Sequence, residues 1–245
     1  MPKAQPGHFY AVGIGPGAPD LLTVRAVRII ESADIILTPQ AQGTNRSLAL
    51  NAIEPYRCGQ EIMCVNYPMQ RNGDQTRERW NAVAGEVLEK LQQGKSVVMI
   101  TIGDPLIFAT TSYLLAALAE ELEQEKIHLV PGISAFQIAA SRFRDPLTLQ
   151  EDRLTLMSAT DLAAVENALD HCETLVLYKA ARVINELLGL LSERGLLGSS
   201  KLVSCAEQGD GELLVDNLEN WTPGELNYMT TMIVRVGNKD WREHT

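Results

Sequence analysis

Three short apolar runs in this chain each end in glycine. Phe9-Tyr10-Ala11-Val12 leads into Gly13-Ile14-Gly15-Pro16-Gly17-Ala18, the run 96–102 into Gly103-Asp104-Pro105, and 127–130 into Pro131-Gly132-Ile133-Ser134-Ala135. A short apolar run closed by glycine or proline reads as a buried strand leaving a sheet. Helical patterns follow at 21–32, 108–124 and 135–142; in the first, Leu22, Ala26, Ile29 and Ile30 share a face and Asp20 is the expected N-cap. Strand, loop and helix in repeated order restrict the chain to an α/β fold with a mainly parallel sheet. Ligands of open α/β sheets sit at the carboxyl ends of the strands, where all three loops fall.

The remaining patterns extend this order. Residues 34–37 and 61–65 read as strands, the first closed by Thr38-Pro39, and 45–53 and 74–93 as helices. Further on, strands are expected at 154–157 and 174–178, with helices at 161–169 and 183–194. Beyond residue 200 the strands 201–206, 212–215 and 229–236 have no long helices between them, which predicts a mixed sheet. A length of 245 residues accommodates two domains. The charged stretch Glu120–Lys126 is the expected boundary, giving α/β domains over 1–122 and 123–245.

Composition removes several function classes. With 21 basic against 31 acidic residues the net charge is −10, which argues against nucleic acid or an anionic membrane as a partner. Aromatic residues make up 5%, too few to suggest a base-stacking module. Cys58, Cys64, Cys172 and Cys205 form no Cys-x-x-Cys pair, and the histidines at 8, 128, 171 and 244 are scattered, so spacing suggests no metal site. The first residues lack a signal-peptide apolar stretch, and no run approaches the ~18 apolar residues of a membrane helix. A cytoplasmic location is expected, where the Asn45-Arg46-Ser47 sequon has no meaning.

The first loop formally fits the dinucleotide pattern G-x-G-x-x-G/A. Two details oppose a nicotinamide oxidoreductase. Pro16 and Pro19 delay the helix that should meet a pyrophosphate, and no ribose-binding acid ends the strand 34–37. What remains is a rigid loop that either admits a ligand to the backbone or serves as a plain strand-to-helix turn. Gly103 leaves bare backbone, Asp104 is either a ligand acceptor or an N-cap, and Pro105 suits a helix start. Ser134 fits an N-cap equally well.

Taken in order, these motifs resemble the tetrapyrrole methylases, the class III S-adenosylmethionine (SAM)-dependent methyltransferases. The resemblance rests on Tyr10–Gly17 with Asp20-Leu21-Leu22-Thr23 and Ala33-Asp34, on Gly103-Asp104-Pro105, and on Pro131–Ala135. Leu177-Tyr178-Lys179 and the late run Thr230–Val234 complete it. Within that family the chain most resembles the C-20 methyltransferases of cobalamin biosynthesis, through Tyr67-Pro68-Met69, Trp80, the segment Gly103–Tyr113, the segment Val130–Arg142, and Tyr178–Arg182. One departure stands out: Phe108-Ala109-Thr110 occupies a place that usually reads closer to Tyr-Ser-Thr.

The resemblance implies two α/β domains with a cleft between them, usually in a homodimer. It implies SAM as cofactor, S-adenosyl-L-homocysteine as product, and methylation of the C-20 meso carbon of precorrin-2 or cobalt-factor II. The cofactor contacts it implies are Pro16, Ile102, Gly103, Asp104, Ile107, Ser134, Ala135, the Lys179 backbone, Gly209 and Thr231. For the carboxylate-rich substrate it points to Tyr113, Arg142, Lys179 and Arg182, ahead of Arg71, Arg77, Arg79 and Arg144. No obligatory nucleophile, metal or triad is expected, and Asp104 and Tyr113 are the nearest groups to take the departing proton. Other readings are a different ring position, a diphthine synthase-like activity, and a tetrapyrrole carrier without turnover. A basic concentration near Arg142, Lys179 and Arg182 is expected to offset the acidic surface.

Overall fold

Two five-stranded sheets organise the chain, each within its own unit. The structure, a computed structural model, describes residues 2–41, 47–67 and 73–237. Asn45, Arg46, Pro68, Met69, Arg71 and His244, named above, lie outside the described residues. Backbone contacts divide the chain into Met1–Ser134 and Ala135–Thr245.

In the first unit β1 (Phe9–Gly13), β2 (Ile35–Ala41), β3 (Glu61–Tyr67), β4 (Val97–Thr101) and β5 (Ile127–Val130) form one sheet in the order β3-β2-β4-β1-β5. Every described pairing is parallel. Strands β1 and β4 are buried at every position. One face, with Phe9, Ala11, Val97 and Met99, packs on Trp80, Val83, Val87 and Leu114. The other, with Tyr10, Val12, Val98 and Ile100, packs on Ala26, Ile29 and Ile30. Helices on both faces explain why these strands are apolar without alternation. Because β5 pairs with β1, it belongs to this unit, so the division falls after Ser134 rather than at the expected 122/123.

Several local expectations shift. Helix α1 (Val24–Ser32) is capped by Thr23, whose Oγ1 accepts the Ala26 amide at 3.1 Å. Asp20 instead lies in a separate 3-10 turn, Pro19–Leu21. Strand β2 runs through Pro39; its pairing with β4 stops at Leu37, and a proline is tolerated where one side is unpaired. Helices α2 (Leu48–Ile53) and α3 (Gly73–Gln92) follow the expected pattern. Helix α4 spans only Thr111–Leu118. Phe108 has φ 51°, a left-handed backbone that cannot start a right-handed helix.

The second unit holds α5 (Ala135–Phe143), β6 (Leu154–Ser158), α6 (Leu162–Leu169), β7 (Thr174–Tyr178), α7 (Ile184–Glu193), β8 (Ser200–Ser204), β9 (Leu213–Val215) and β10 (Thr230–Arg235). The order is β6-β7-β10-β8-β9; β6–β7 is parallel and the other pairs antiparallel, so the sheet is mixed as expected. Leu175, Leu177, Met232 and Val234 pack on Val165, Leu187 and Leu191 on one face. Val176, Val203 and Ile233 meet Ala139 and Phe143 of α5 on the other. Asp145, just after α5, accepts Lys201 at 2.9 Å and Arg235 at 3.3 Å, fastening that segment to β8 and β10. Among the described residues no helix is long and apolar enough to cross a membrane.

Candidate functional site

Strands β4, β1 and β5 are neighbours, so their three terminal loops emerge side by side. The Gly103 amide donates to the Gly15 carbonyl at 2.7 Å, and the Gly15 amide returns to Gly103 at 3.3 Å. A Cβ on Gly13 would lie 2.6 Å from both the Gly103 oxygen and the Gly132 nitrogen. One on Gly132 would run into the same Gly103 oxygen. Gly13 and Gly132 are therefore glycine because three backbones converge there. Gly103 differs. Its φ of 77° favours glycine, yet a Cβ on it would meet nothing within 4 Å. Open space lies against its bare backbone.

Asp104 holds these loops in shape. One carboxylate oxygen accepts the Leu106 amide at 2.9 Å and the other the Gly132 amide at 3.1 Å. Pro105 does not open a helix. It is the second residue of a turn closed by the Ile107 amide on the Asp104 carbonyl at 3.4 Å, a place where proline's fixed φ fits. Beneath it the buried hydroxyls of Thr101 and Thr111 meet at 2.6 Å and tie β4 to α4. Pro16 and Ser134 are buried, and Ile102 and Ile107 half-buried, on the same three loops. Tyr113 is 53% exposed, and its ring stacks on buried Trp80 at 6.4 Å between centroids.

In the second unit Lys179 follows β7 in the left-handed conformation, with φ 61°. Thr231 of β10 pairs in register with Tyr178, so Thr231 and Lys179 lie close together. Tyr178 also reaches the start of α5, where its hydroxyl accepts the Phe136 amide at 3.4 Å beside Ala135. Gly209 begins a 3-10 turn, with φ 69° and open space where a Cβ would be.

The basic residues part company. Arg142 is held by Glu212 through Nε at 2.9 Å and a terminal nitrogen at 2.5 Å, with Glu207 at 3.6 Å. Hydrogen bonds from Arg142 to Glu212, and then the Glu212 charge, push the guanidinium pKa above its ordinary value. Arg182 instead lies over the Tyr228 ring at 5.4 Å. Among the described residues no carboxylate pairs with it. Sequence reasoning missed Glu212 and the Thr101–Thr111 contact. Glu212 lies 70 positions from Arg142, and no local pattern joins them.

A sequence profile of the tetrapyrrole (corrin/porphyrin) methylases matches residues 8–208, most of the chain. With the glycine loops at the ends of a parallel sheet and a mixed second sheet, this protein belongs to that methyltransferase family. It is 34% identical over 238 residues to the cobalt-precorrin-2 C(20)-methyltransferase of Salmonella typhimurium, covering 96% of this chain and 98% of that one. Its fold is like that of a cobalt precorrin-4 methyltransferase, with TM-score 0.70 at 20% identity, over 94% of this chain and 95% of the other. It is also like the Thermus thermophilus uroporphyrin-III C-methyl transferase complexed with S-adenosyl homocysteine, with TM-score 0.64 at 21% identity, over 93% and 97%.

Proposed function

We propose that this protein transfers a methyl group from SAM to the C-20 meso carbon of a precorrin-2 or cobalt-factor II tetrapyrrole in corrin ring biosynthesis. The observation that carries this reading is the end-to-end likeness to the Salmonella C(20)-methyltransferase. The open space against Gly103, at the convergence of three strand-end loops, fits a cofactor lying on bare backbone and supports the SAM assignment. Action as a homodimer belongs to the same reading and rests on the family resemblance; a cytoplasmic location is proposed beside it.

The sulfonium cofactor supplies an already activated methyl group, so the hard chemistry is not the protein's. The chain supplies alignment, which can remove roughly 7–11 kcal/mol of entropic cost. In the first unit Pro16, Ile102, Gly103, Asp104, Ile107 and Ser134 are the proposed cofactor contacts. A carboxylate offers about four acceptor sites. Asp104 spends two on backbone amides and keeps the others for a ligand donor. In the second unit Ala135, the Lys179 backbone, Gly209 and Thr231 are proposed from the resemblance.

For the substrate's carboxylates Arg182 is the leading cation, with Lys179 beside it in sequence and Tyr113 as an aromatic contact. Arg142 is already neutralised by two carboxylates, so the proposed substrate-binding charge rests first on Arg182. The test is turnover of SAM with metal-free and cobalt-loaded substrate in parallel, read by mass spectrometry and carbon NMR. A gain of one methyl at C-20 is expected. Methylation elsewhere on the ring, or none with either substrate, would overturn the assignment.

A further inference from the structure

The turn that carries Gly209 is an unusual piece of backbone. Cys205, Glu207 and Gly209 have φ of 51°, 57° and 69°, so two non-glycine residues sit in the left-handed region within one short turn. Such strain persists only where the surroundings over-determine it. The backbone supplies part of the restraint: Cys205 donates to the Met229 carbonyl at 3.0 Å, Gln208 to Cys205 at 3.1 Å and Glu212 to Gly209 at 3.0 Å. Side chains supply more of it: Glu207 pairs with Arg142 at 3.6 Å, and the Gln208 amide donates to the Met229 sulfur at 3.5 Å. The Glu212 carboxylate folds back to accept the Glu207 amide at 3.0 Å, and the same oxygen takes Nε of Arg142 at 2.9 Å. Its second oxygen takes the Arg142 terminal nitrogen. Only 14% of the Glu212 side chain is exposed, so this carboxylate needs those donors.

We propose that Arg142 is a positioning residue that, through its two-point hold on Glu212, fixes the turn 205–212 so that the Gly209 backbone is presented to the cofactor. Arg142 stands in the last turn of α5, a helix packed on β8 and β10 through Ala139 and Phe143, so its guanidinium is a fixed anchor. The planar fork matters, because a lysine ammonium cannot make the paired bonds. This assigns Arg142 to the cofactor side of the reaction instead of the substrate's carboxylates. It rests on the reading that the protein binds SAM and that Gly209 contacts it.

The experiment is calorimetric titration of the full chain with SAM, for the wild type, Arg142→Lys, Glu212→Gln and the double variant. Both single variants should raise the SAM dissociation constant by about tenfold, and the double variant should be little worse than either, as expected for one coupled contact. Saturating SAM should restore turnover, with the tetrapyrrole KM unchanged. Amide hydrogen exchange at Glu207 should quicken in each variant, a readout independent of any ligand. Unaltered SAM affinity in variants of a wild type that does bind SAM would overturn the clamp and leave the cofactor reading standing. A raised tetrapyrrole KM with unaltered SAM affinity in Arg142→Lys would return Arg142 to substrate binding. No binding by the wild type would overturn the cofactor reading itself, and with it this role for the turn.

Discussion

The Asp104 carboxylate accepts the Gly132 amide at 3.1 Å, so the loop after β4 holds the loop after β5. Its other oxygen holds the Leu106 amide of its own loop. A hydrogen bond to a charged group is worth about 1.5–3 kcal/mol. Asp104→Ala should therefore lower the unfolding free energy by about 1–3 kcal/mol and weaken SAM binding together. Asp104→Asn keeps an acceptor oxygen and should recover part of both losses. Denaturant unfolding and calorimetry check the pair; unchanged SAM affinity in Asp104→Ala would remove Asp104 from the cofactor site.

The loop glycines should respond in opposite ways. Gly13→Ala and Gly132→Ala drive a methyl into the Gly103 carbonyl and neighbouring backbone, which has no flexible end to yield. Both are expected to lose about 3 kcal/mol or more, the scale of severe overpacking. Gly103→Ala meets only its left-handed backbone cost, about 1–2 kcal/mol. It should stay folded and bind SAM poorly, because its methyl points into the space proposed for the cofactor. Thermal melts beside SAM titrations separate the cases; a well-folded Gly103→Ala with normal affinity would empty that space of its proposed occupant.

The sheets were legible in the sequence because their central strands are continuous apolar runs, and β7 was bounded to the residue. Helix ends were less legible. Thr23 in place of Asp20 as a cap, and Phe108 barred from α4, depend on backbone angles that no local pattern reports. At the candidate site, the loops could be read from their glycines and prolines. Which glycine serves packing and which faces space could not, since that follows from three strands lying side by side. The fate of Arg142 was illegible for a similar reason: an arginine beside a motif loop looks available until the distant Glu212 is folded onto it.

Arg182 and Arg142 now predict different kinetics. Arg182 lies over the 50%-exposed Tyr228 ring and has no carboxylate partner among the described residues. Arg182→Ala should raise the tetrapyrrole KM by roughly tenfold, the worth of one charge-assisted contact, and leave SAM affinity unchanged. Its effect on stability should stay within about 1 kcal/mol, as for an exposed cation–π contact. Steady-state kinetics with each substrate varied in turn provide the check. A normal tetrapyrrole KM would remove Arg182 from the substrate's carboxylates.

At the opposite ends of β1 and β5, His8 Nδ1 and His128 Nε2 are 2.8 Å apart, and the His128 ring stacks on Tyr10 at 4.6 Å. A neutral pair shares one hydrogen comfortably. Burial pushes the His128 pKa below its ordinary 6.5, and the charge of a protonated His8 pushes it the same way. Between the folded and unfolded values the unfolded chain binds more protons, so stability rises with pH there. This contribution is complete above 6.5 and is lost as pH falls through the depressed folded value. Glu173 acts in a lower window. Its hydrogen bonds with Arg153 hold its carboxyl at about 2 instead of 4.5, so its contribution is present above 4.5 and lost as pH falls through about 2. His128→Gln should remove the first window and leave the second. Denaturant unfolding of wild type and variant across both windows reads the difference. Their stability curves should converge as pH falls below 6.5, and curves that stay parallel would show that His128 does not set this response.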